Sequence, residues 1–593
     1  LRKQESYPKH GVSSFTSDSA ALLHFGIDFP PLPSKYRTMP RPHSRKTRKG
    51  IFTEIRPTAK GTMRLHLRWG RILTLLVLLG IGTYLGGGIG VYLLYKERKN
   101  FTELEFVDVL LLRRDEIRLK QGEHDITEGL AALKEQDFRA AYNYLRSGVR
   151  RSPANLEGRL TLIAMTAPSS QEQALKLFED GLTYGKSDFG YLRAYGQFLL
   201  GTRHDAELKE LASSLLSTLE DNSEAKRLMA FFLFRAQIHL GEIASAGETF
   251  QTYKLHDSLE GVLFAADALD RAGHPFTAIE LLQNFRRRFQ NGSQPVVFEK
   301  LAQLYLQTDQ DSQATQVALD FAMKEPLSWR PRRLLLECYD KAGREADIER
   351  AASSLVREFR DEREAISSLA QFAEKTGRVD LARKTYEVAL EDGFEVARFG
   401  LLFIETYLSA ERFSDVLALC EEIETENPAW LERYRPEFSG MRSIAAYGVN
   451  NTQLGDIYRN QFLSAVGRRA DVLRAVASAF EDAELYAQAA AILEEATQID
   501  DEDEQVLSNL IDLQVKLGDS RELTDRVQRL LELRRPGYAI FNAVKSELGS
   551  DRFIFANERA ELLDAVAAVL REASLENLAN LEVPDGTPAQ SQT

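Results

Sequence analysis

The side chains that most often carry chemistry are scarce in this sequence: nine histidines and two cysteines in 593 residues. Five histidines follow residue 100, namely His124, His204, His239, His256 and His274. No two stand at the HExxH or HxxxH spacing that puts two imidazoles on one helix face to hold zinc. Cys338 and Cys420 form no CxxC pair, which excludes a compact thiolate metal site, a redox dithiol and a disulfide framework. The run GGGIG at 86–90 has the glycines of a phosphate loop, but no Lys-Ser/Thr follows it and it lies inside an apolar stretch. No G-x-S-x-G elbow occurs, and carboxylates are too abundant for any pair to stand out as acid and base. The residues therefore nominate no catalytic group, no metal and no cofactor. Arginine clusters remain at 150–151, 286–288 and 534–535. They could form a phosphate-binding stripe, but each falls near the end of a helix pattern, where cations complement the dipole and cap free carbonyls, and that structural reading is preferred.

What would position such residues begins with an apolar run. Ile72 to Tyr95 is 24 residues without a charge, and a helix of that length reaches about 36 Å, enough for a hydrocarbon layer of about 30 Å. The spacing predicts a transmembrane helix over 69–96. Residues 1–100 carry 18 Lys/Arg and 5 Asp/Glu, so the chain's total of −13 leaves −26 on residues 101–593. The basic flank precedes the span, so the head should be cytoplasmic and the body extracytoplasmic, which means periplasmic in a Gram-negative cell. A cleaved signal peptide is the competing reading, disfavoured by the length of the run and its ending VYLLYKERK. Gly82, Gly86 and Gly90 share one helix face, which would let a second copy or a membrane-embedded partner helix approach; general small-residue bias is the alternative. Residues 1–68 are basic, rich in Pro and Ser, and expected to be disordered, or to lie upstream of a true start at Met63 or Met39. An acidic body argues against nucleic acid as its partner.

Beyond residue 120 one pattern recurs. In AISSLAQFAEKTGRVDLARKTYEVALEDG (365–393), Ile366, Leu369, Ala370 and Ala373 share a face of one helix, Gly377 breaks it, and Ala382, Tyr386, Ala389 and Leu390 face back from a second. EGLAALKEQDFRAAYNYLRSGVRRSPAN repeats the arrangement with Gly129, Phe138, Ala141, Leu145, Gly148 and Pro153. These units resemble the tetratricopeptide repeat: two amphipathic helices, a small residue after the turn, an aromatic and a closing proline. The turn position can be followed through Ala141, Ala174, Ala206, Ala246, Ala278, Ala314, Ile348, Ala382, Val416, Leu454, Ala489 and Leu523, mostly at steps of 32 to 36 residues.

The expected architecture is all-α: a single transmembrane helix, a connecting helix over 97–121, a helical-hairpin solenoid of about twelve units over 122–540, a capping helix over 541–573 and a disordered tail over 574–593. Units that contact only their neighbours would keep the two cysteines apart, reduced and buried. The resemblance implies a concave protein-binding face built from first-helix side chains. In this register those are Arg330, Arg333, Glu337, Asp340, Glu364, Gln371, Glu374, Arg398 and Glu405. It further implies a non-enzymatic docking or scaffold protein of an envelope-associated complex for secretion, polysaccharide export or wall assembly, with protein partners. A soluble cytoplasmic interaction protein and an enzyme with an unrecognised active site stay open as alternatives.

Overall fold

The computed structural model describes residues 51–57, 63–98, 105–111, 113–289, 294–426, 428–534, 537–553, 558–574 and 581. The chain separates into two units, 1–114 and 115–593.

The first unit opens with an antiparallel ribbon, Thr53–Pro57 against Met63–Leu67, in register from Thr53 opposite Leu67 to Pro57 opposite Met63. Disorder was expected across this stretch, and that expectation is corrected for residues 53–57 and 63–67. MRLHL alternates apolar and polar residues at the period of a strand, a short signal hidden among basic residues. Met39 and the rest of residues 1–50 lie outside the described residues. The ribbon leads into the helix Trp69–Arg98, apolar on all sides. Its stretch Trp69–Leu94 spans 26 residues with a mean hydropathy of 2.0 and no part of its most apolar window buried. A short helix, Phe106–Leu110, lies beside it. The Tyr92 and Phe106 rings meet edge to face at 5.8 Å, and the Tyr84 hydroxyl donates to the Leu110 carbonyl.

The second unit is a run of antiparallel helix pairs. Twelve hairpins follow in order from Arg114–Lys134 with Phe138–Arg151 to Glu504–Leu517 with Leu523–Glu532. A thirteenth pair, Tyr538–Gly549 and Arg559–Glu572, takes the place of the single capping helix expected over 541–573. Gly549 and Ser550 end its first helix and a 3-10 turn, Asp551–Phe553, follows. The connecting helix expected up to 121 is the start of the 21-residue first helix, Arg114–Lys134.

One backbone device turns ten of the hairpins. The second residue past the first helix takes a left-handed conformation: Gly241, Gly273, Gly343 and Gly377, but also Gln136, Arg203, Asp309, Glu411, Asn450 and Glu484. The next N–H then reaches back to a carbonyl five residues earlier, as from Arg378 to Ala373 at 2.8 Å and from Leu485 to Phe480 at 2.9 Å. This closure satisfies carbonyls that the helix end leaves open. It fixes the turn even where an L side chain makes left-handed backbone costly by about 1–2 kcal/mol.

Small residues sit where helices cross. Ala141, Ala174, Ala246, Ala278, Ala314, Ala382 and Ala489 of the predicted turn position are all buried. Two positions are corrected. Ala206 is exposed and Leu208 takes its place inside; Leu454 is only partly covered and Gly455 is buried. Leu390 is likewise exposed, with Val388 buried in its stead. A Cβ on Gly196 would stand 2.2 Å from the Phe232 ring, so these first helices approach more closely than any side chain there allows. Cys338 and Cys420 are both buried and unpaired, and burial pushes each thiol up to about 12.

The expectation that units touch only their neighbours is overturned. Hairpins three to five face hairpins eleven to thirteen, more than 290 residues along the chain. Arg203 pairs with Asp500 and Glu504 at 3.4 and 3.1 Å. The His274 ring Nε2 lies 2.9 Å from the Ala573 carbonyl. Leu581, inside the tail expected to be disordered, is fully buried against the core of the early hairpins; residues 575–580 and 582–593 lie outside the described residues.

Candidate binding surfaces of the helical array

The nominated first-helix residues occupy three successive helices, Arg330–Lys341, Arg363–Lys375 and Val396–Ser409. Buried positions on the last two alternate with them in helical phase: Ile366, Leu369 and Ala373, then Ala397, Phe403 and Ile404. The apolar stripe holds each helix to its neighbours and aims the polar side chains away.

On the first of these helices much of the charge is already compensated. Arg333 pairs with Glu337 at 2.9 Å, and Asp340 accepts from Arg378 at 2.8 Å. Arg330 is exposed and lies near the Trp329 ring, 5.9 Å from its centroid. Glu364, Gln371 and Arg398 are exposed. Glu374 and Glu405 are half-buried, and the Glu374 charge lies close enough to raise the cost of ionising Glu405. Burial, then Glu374, pushes the Glu405 carboxyl up to about 8. Glu374 is raised by burial and by Asp482 from hairpin eleven, so a carboxylate three units along the array faces the same space. Sequence reasoning found Glu374 and Glu405 but not Asp482, whose relevance depends on the coiling of the array. Among the described residues none of these three carboxylates has an ion-pair partner.

A second surface went unforeseen. Where hairpins three to five meet hairpins eleven to thirteen, they line a solvent-open cavity of about 910 Å³. Its wall is anchored by Asp205, only 4% exposed, at the start of the helix Asp205–Leu216. The carboxylate accepts from His239 Nδ1 at 2.9 Å and from both Nε and Nη2 of Arg534, the latter at 2.9 Å. Burial raises the Asp205 carboxyl, yet the bonds from His239 and Arg534 outweigh it and hold it below the usual carboxylate range. Burial lowers the His239 imidazole more than Asp205 raises it, so the ring is neutral at pH 7 and its Nδ1–H donates. Arg534 also donates to the Leu200 carbonyl at the close of the helix Phe189–Gly201. The arginine cluster at 534–535 had been read as capping its own helix; Arg534 caps one that ended 333 residues earlier. Of the other clusters, Arg151 pairs with Asp125, while Arg286 and Arg288 pair with Asp320 and Asp257. These are links between side chains of adjoining helices and do not form a stripe.

Gly82, Gly86 and Gly90 have open space around the position of a Cβ; the glycine approached within the first unit is Gly88, with Phe106 at 3.8 Å and Leu110 at 3.9 Å. Among the described residues no group of three or more His, Cys, Asp or Glu could hold a metal ion.

No protein-family model matches this chain, and no curated protein matches its sequence. Among solved structures it is similar to yeast Tom70, at 12% identity over 76% of this chain and 99% of that one, with a TM-score of 0.30. It is similar to the pentatricopeptide repeat protein PPR10, whose structure holds an 18-nt RNA element, at 14% identity over 74% and 66% with a TM-score of 0.38. PilF of Pseudomonas aeruginosa is 16% identical over 40% and 92%, with a TM-score of 0.24. At such identities and TM-scores these likenesses carry no conclusion about function; the succession of helix pairs itself makes the second unit a helical-repeat solenoid.

Proposed function

We propose that this tetratricopeptide-like array is a scaffold that docks protein partners on its first-helix face, held at a membrane by the apolar helix Trp69–Arg98. The observation that carries the reading is the gathering of Glu374, Glu405 and Asp482, from hairpins eight, nine and eleven, none of them in an ion pair among the described residues and only Glu374 eased by the charge of its neighbour Lys375. A folded protein tolerates crowded, half-buried carboxylates at a cost; a lysine or arginine on a partner would relieve it. The partner segment is therefore basic, flanked by contacts to the exposed Gln371 and Arg398. Neither nucleic acid nor a cofactor is part of this reading.

Tethering raises the effective concentration of the array near membrane partners. The charge asymmetry around the span supports a cytoplasmic head and an extracytoplasmic array, and the setting is an envelope-associated assembly for secretion, polysaccharide export or wall assembly. The open face of Gly82, Gly86 and Gly90 is available to a second copy or to a partner's membrane helix.

A photo-crosslinking amino acid at Gln371 or Arg398 in native membranes tests the docking surface. The expected result is a discrete crosslinked protein that is lost when Glu374 and Glu405 are both changed to Gln. Equal capture from that variant, or from a probe at exposed Arg287, refutes the site. Protease added to intact spheroplasts is expected to digest the array; protection of the array until lysis refutes the orientation.

A further inference from the structure

The open cavity lined by the two ends of the array is unevenly compensated. Every carboxylate on its wall has a cation: Glu481 and Asp512 share Lys516, Asp503 meets Arg474, and Glu504 meets Arg203. On the opposite wall Arg534 is held by Asp205. Two guanidiniums remain, Arg235 and Arg271, and among the described residues neither has an ion pair or a hydrogen bond from its side chain.

Arg235 is built into place. Its guanidinium lies 5.0 Å from the Phe264 ring centroid and 5.8 Å from that of Phe231, a stacking that fixes the plane of the fork. Its Nε is buried without a partner. Burial and then the charge of Arg534 make the cation harder to hold than an ordinary arginine; Asp205 offsets this in part and Arg271 adds to it, and the net direction is still downward, which is the condition an incoming anion relieves. Buried donors without acceptors are rare in folded proteins because each costs about 1–3 kcal/mol. From hairpin twelve the cavity offers Ser508 and Asn509, neutral groups able to bond the uncharged part of a ligand. A volume near 910 Å³ is that of a small-molecule site. It is far more than a lone ion fills, and its walls come from both ends of the array.

We infer that this cavity binds a small molecule bearing a doubly charged oxyanion, a phosphate monoester or a dicarboxylate, with Arg235 and Arg271 as the fork that receives the charge. The inference is independent of the docking reading, which rests on other side chains and the opposite charge.

The test measures thermal unfolding of the full-length chain in detergent at constant ionic strength, with inorganic phosphate, glucose 6-phosphate or succinate replacing chloride. Saturable stabilisation by at least one of these is expected. A response to the two phosphates alone identifies phosphate as the group recognised, and a response to succinate identifies carboxylate. Arg235→Gln and Arg271→Gln should each weaken the response at least tenfold in concentration, whereas Arg287→Gln leaves it unchanged. A non-saturating response equal to that of chloride, or a response retained in the double variant, overturns the inference. Should the variants fold poorly, wild-type protein suffices: the stabilising anion must protect Arg235 and Arg271, but not Arg287, from phenylglyoxal as read by peptide mass spectrometry, and equal labelling with and without it overturns the site.

Discussion

Arg534→Met removes the cation that joins the last hairpins to the third while retaining most of the apolar stem. Three hydrogen bonds go with it, two to the Asp205 carboxylate and one to the Leu200 carbonyl. Asp205 is 4% exposed, so it cannot regain water without the joint opening. Stripping one partner from a buried charge costs about 3–5 kcal/mol. Here His239 remains bonded to the carboxylate and can accept a proton in compensation, which brings the expected loss to about 2–4 kcal/mol.

The compensation makes the loss depend on pH. In the wild type the imidazole is lowered by burial and by the Arg534 charge. Without that charge, and with Asp205 uncovered, its folded-state value rises. A raised histidine contributes stability that is fully present below its unfolded value of about 6.5 and is lost as pH rises through the folded value. The penalty of Arg534→Met should therefore be smaller at pH 5.5 than at pH 8. Urea unfolding at both values measures it, and a double-mutant cycle with Asp205→Asn should return a coupling of about 1.5–3 kcal/mol. Hydrogen exchange should quicken in Phe189–Gly201, whose Leu200 carbonyl Arg534 bonds, and in Tyr538–Gly549, which begins four residues after Arg534, and not in Arg363–Lys375. A coupling below about 0.5 kcal/mol, or unchanged exchange in both helices, would refute the claim that this bond closes the array.

Three further outcomes follow from the same packing. Glu405, raised to about 8, favours the folded state below its unfolded value of about 4.3 and loses that contribution as pH rises through 8; Glu405→Gln should thus unfold like the wild type at pH 5 but be more stable by about 1–3 kcal/mol at pH 9. Gly196→Ala drives a methyl to 2.2 Å from the Phe232 ring and should cost about 1–3 kcal/mol, whereas Gly190→Ala, whose nearest neighbour is the Asp188 carboxylate at 3.4 Å, should change urea stability by less than about 1 kcal/mol. Cys338 and Cys420 should resist iodoacetamide at pH 8 and react together only across the urea transition, since burial holds both as thiols; alkylation of either in native buffer would contradict the packing around it.

The hairpins were legible because each is a local object. Ile366, Leu369, Ala370 and Ala373 lie within eight residues, so their shared face can be read from a short window. Register slipped where spacing changed: the long step before Ala246 drew the turn position to Ala206 instead of Leu208, and the long step before Leu454 missed Gly455 by one residue. What no window contains is the meeting of hairpin three with hairpin twelve. Asp205 reads as an ordinary acid in a first helical turn, His239 as an ordinary base in a last one, and Arg534 as a cap on its own helix. Each local reading was physically sound. The bonds among them depend on a curvature that accumulates over nine hairpins, a small rotation per unit that no single unit's side chains specify.

That curvature also changes what the net charge means. An excess of −26 over residues 101–593 describes the field felt from a distance and disfavours a long polyanion. Binding at the inner surface is governed instead by which charges remain uncompensated once neighbours pair, and pairing consumes most of them: Arg333 with Glu337, Asp340 with Arg378, Glu504 with Arg203. What is left over is acidic around Glu374 and Asp482, with the Glu405 carboxyl beside them raised to about 8, and positive at Arg235 and Arg271. Opposite remainders on one acidic chain are possible because ion pairs act over a few ångströms in a half-buried setting while the net charge is screened within about 8–10 Å of solvent. A basic partner segment and a small dianion can therefore be accommodated by the same array without competing, each drawn to a site whose charge the rest of the solenoid has left unbalanced.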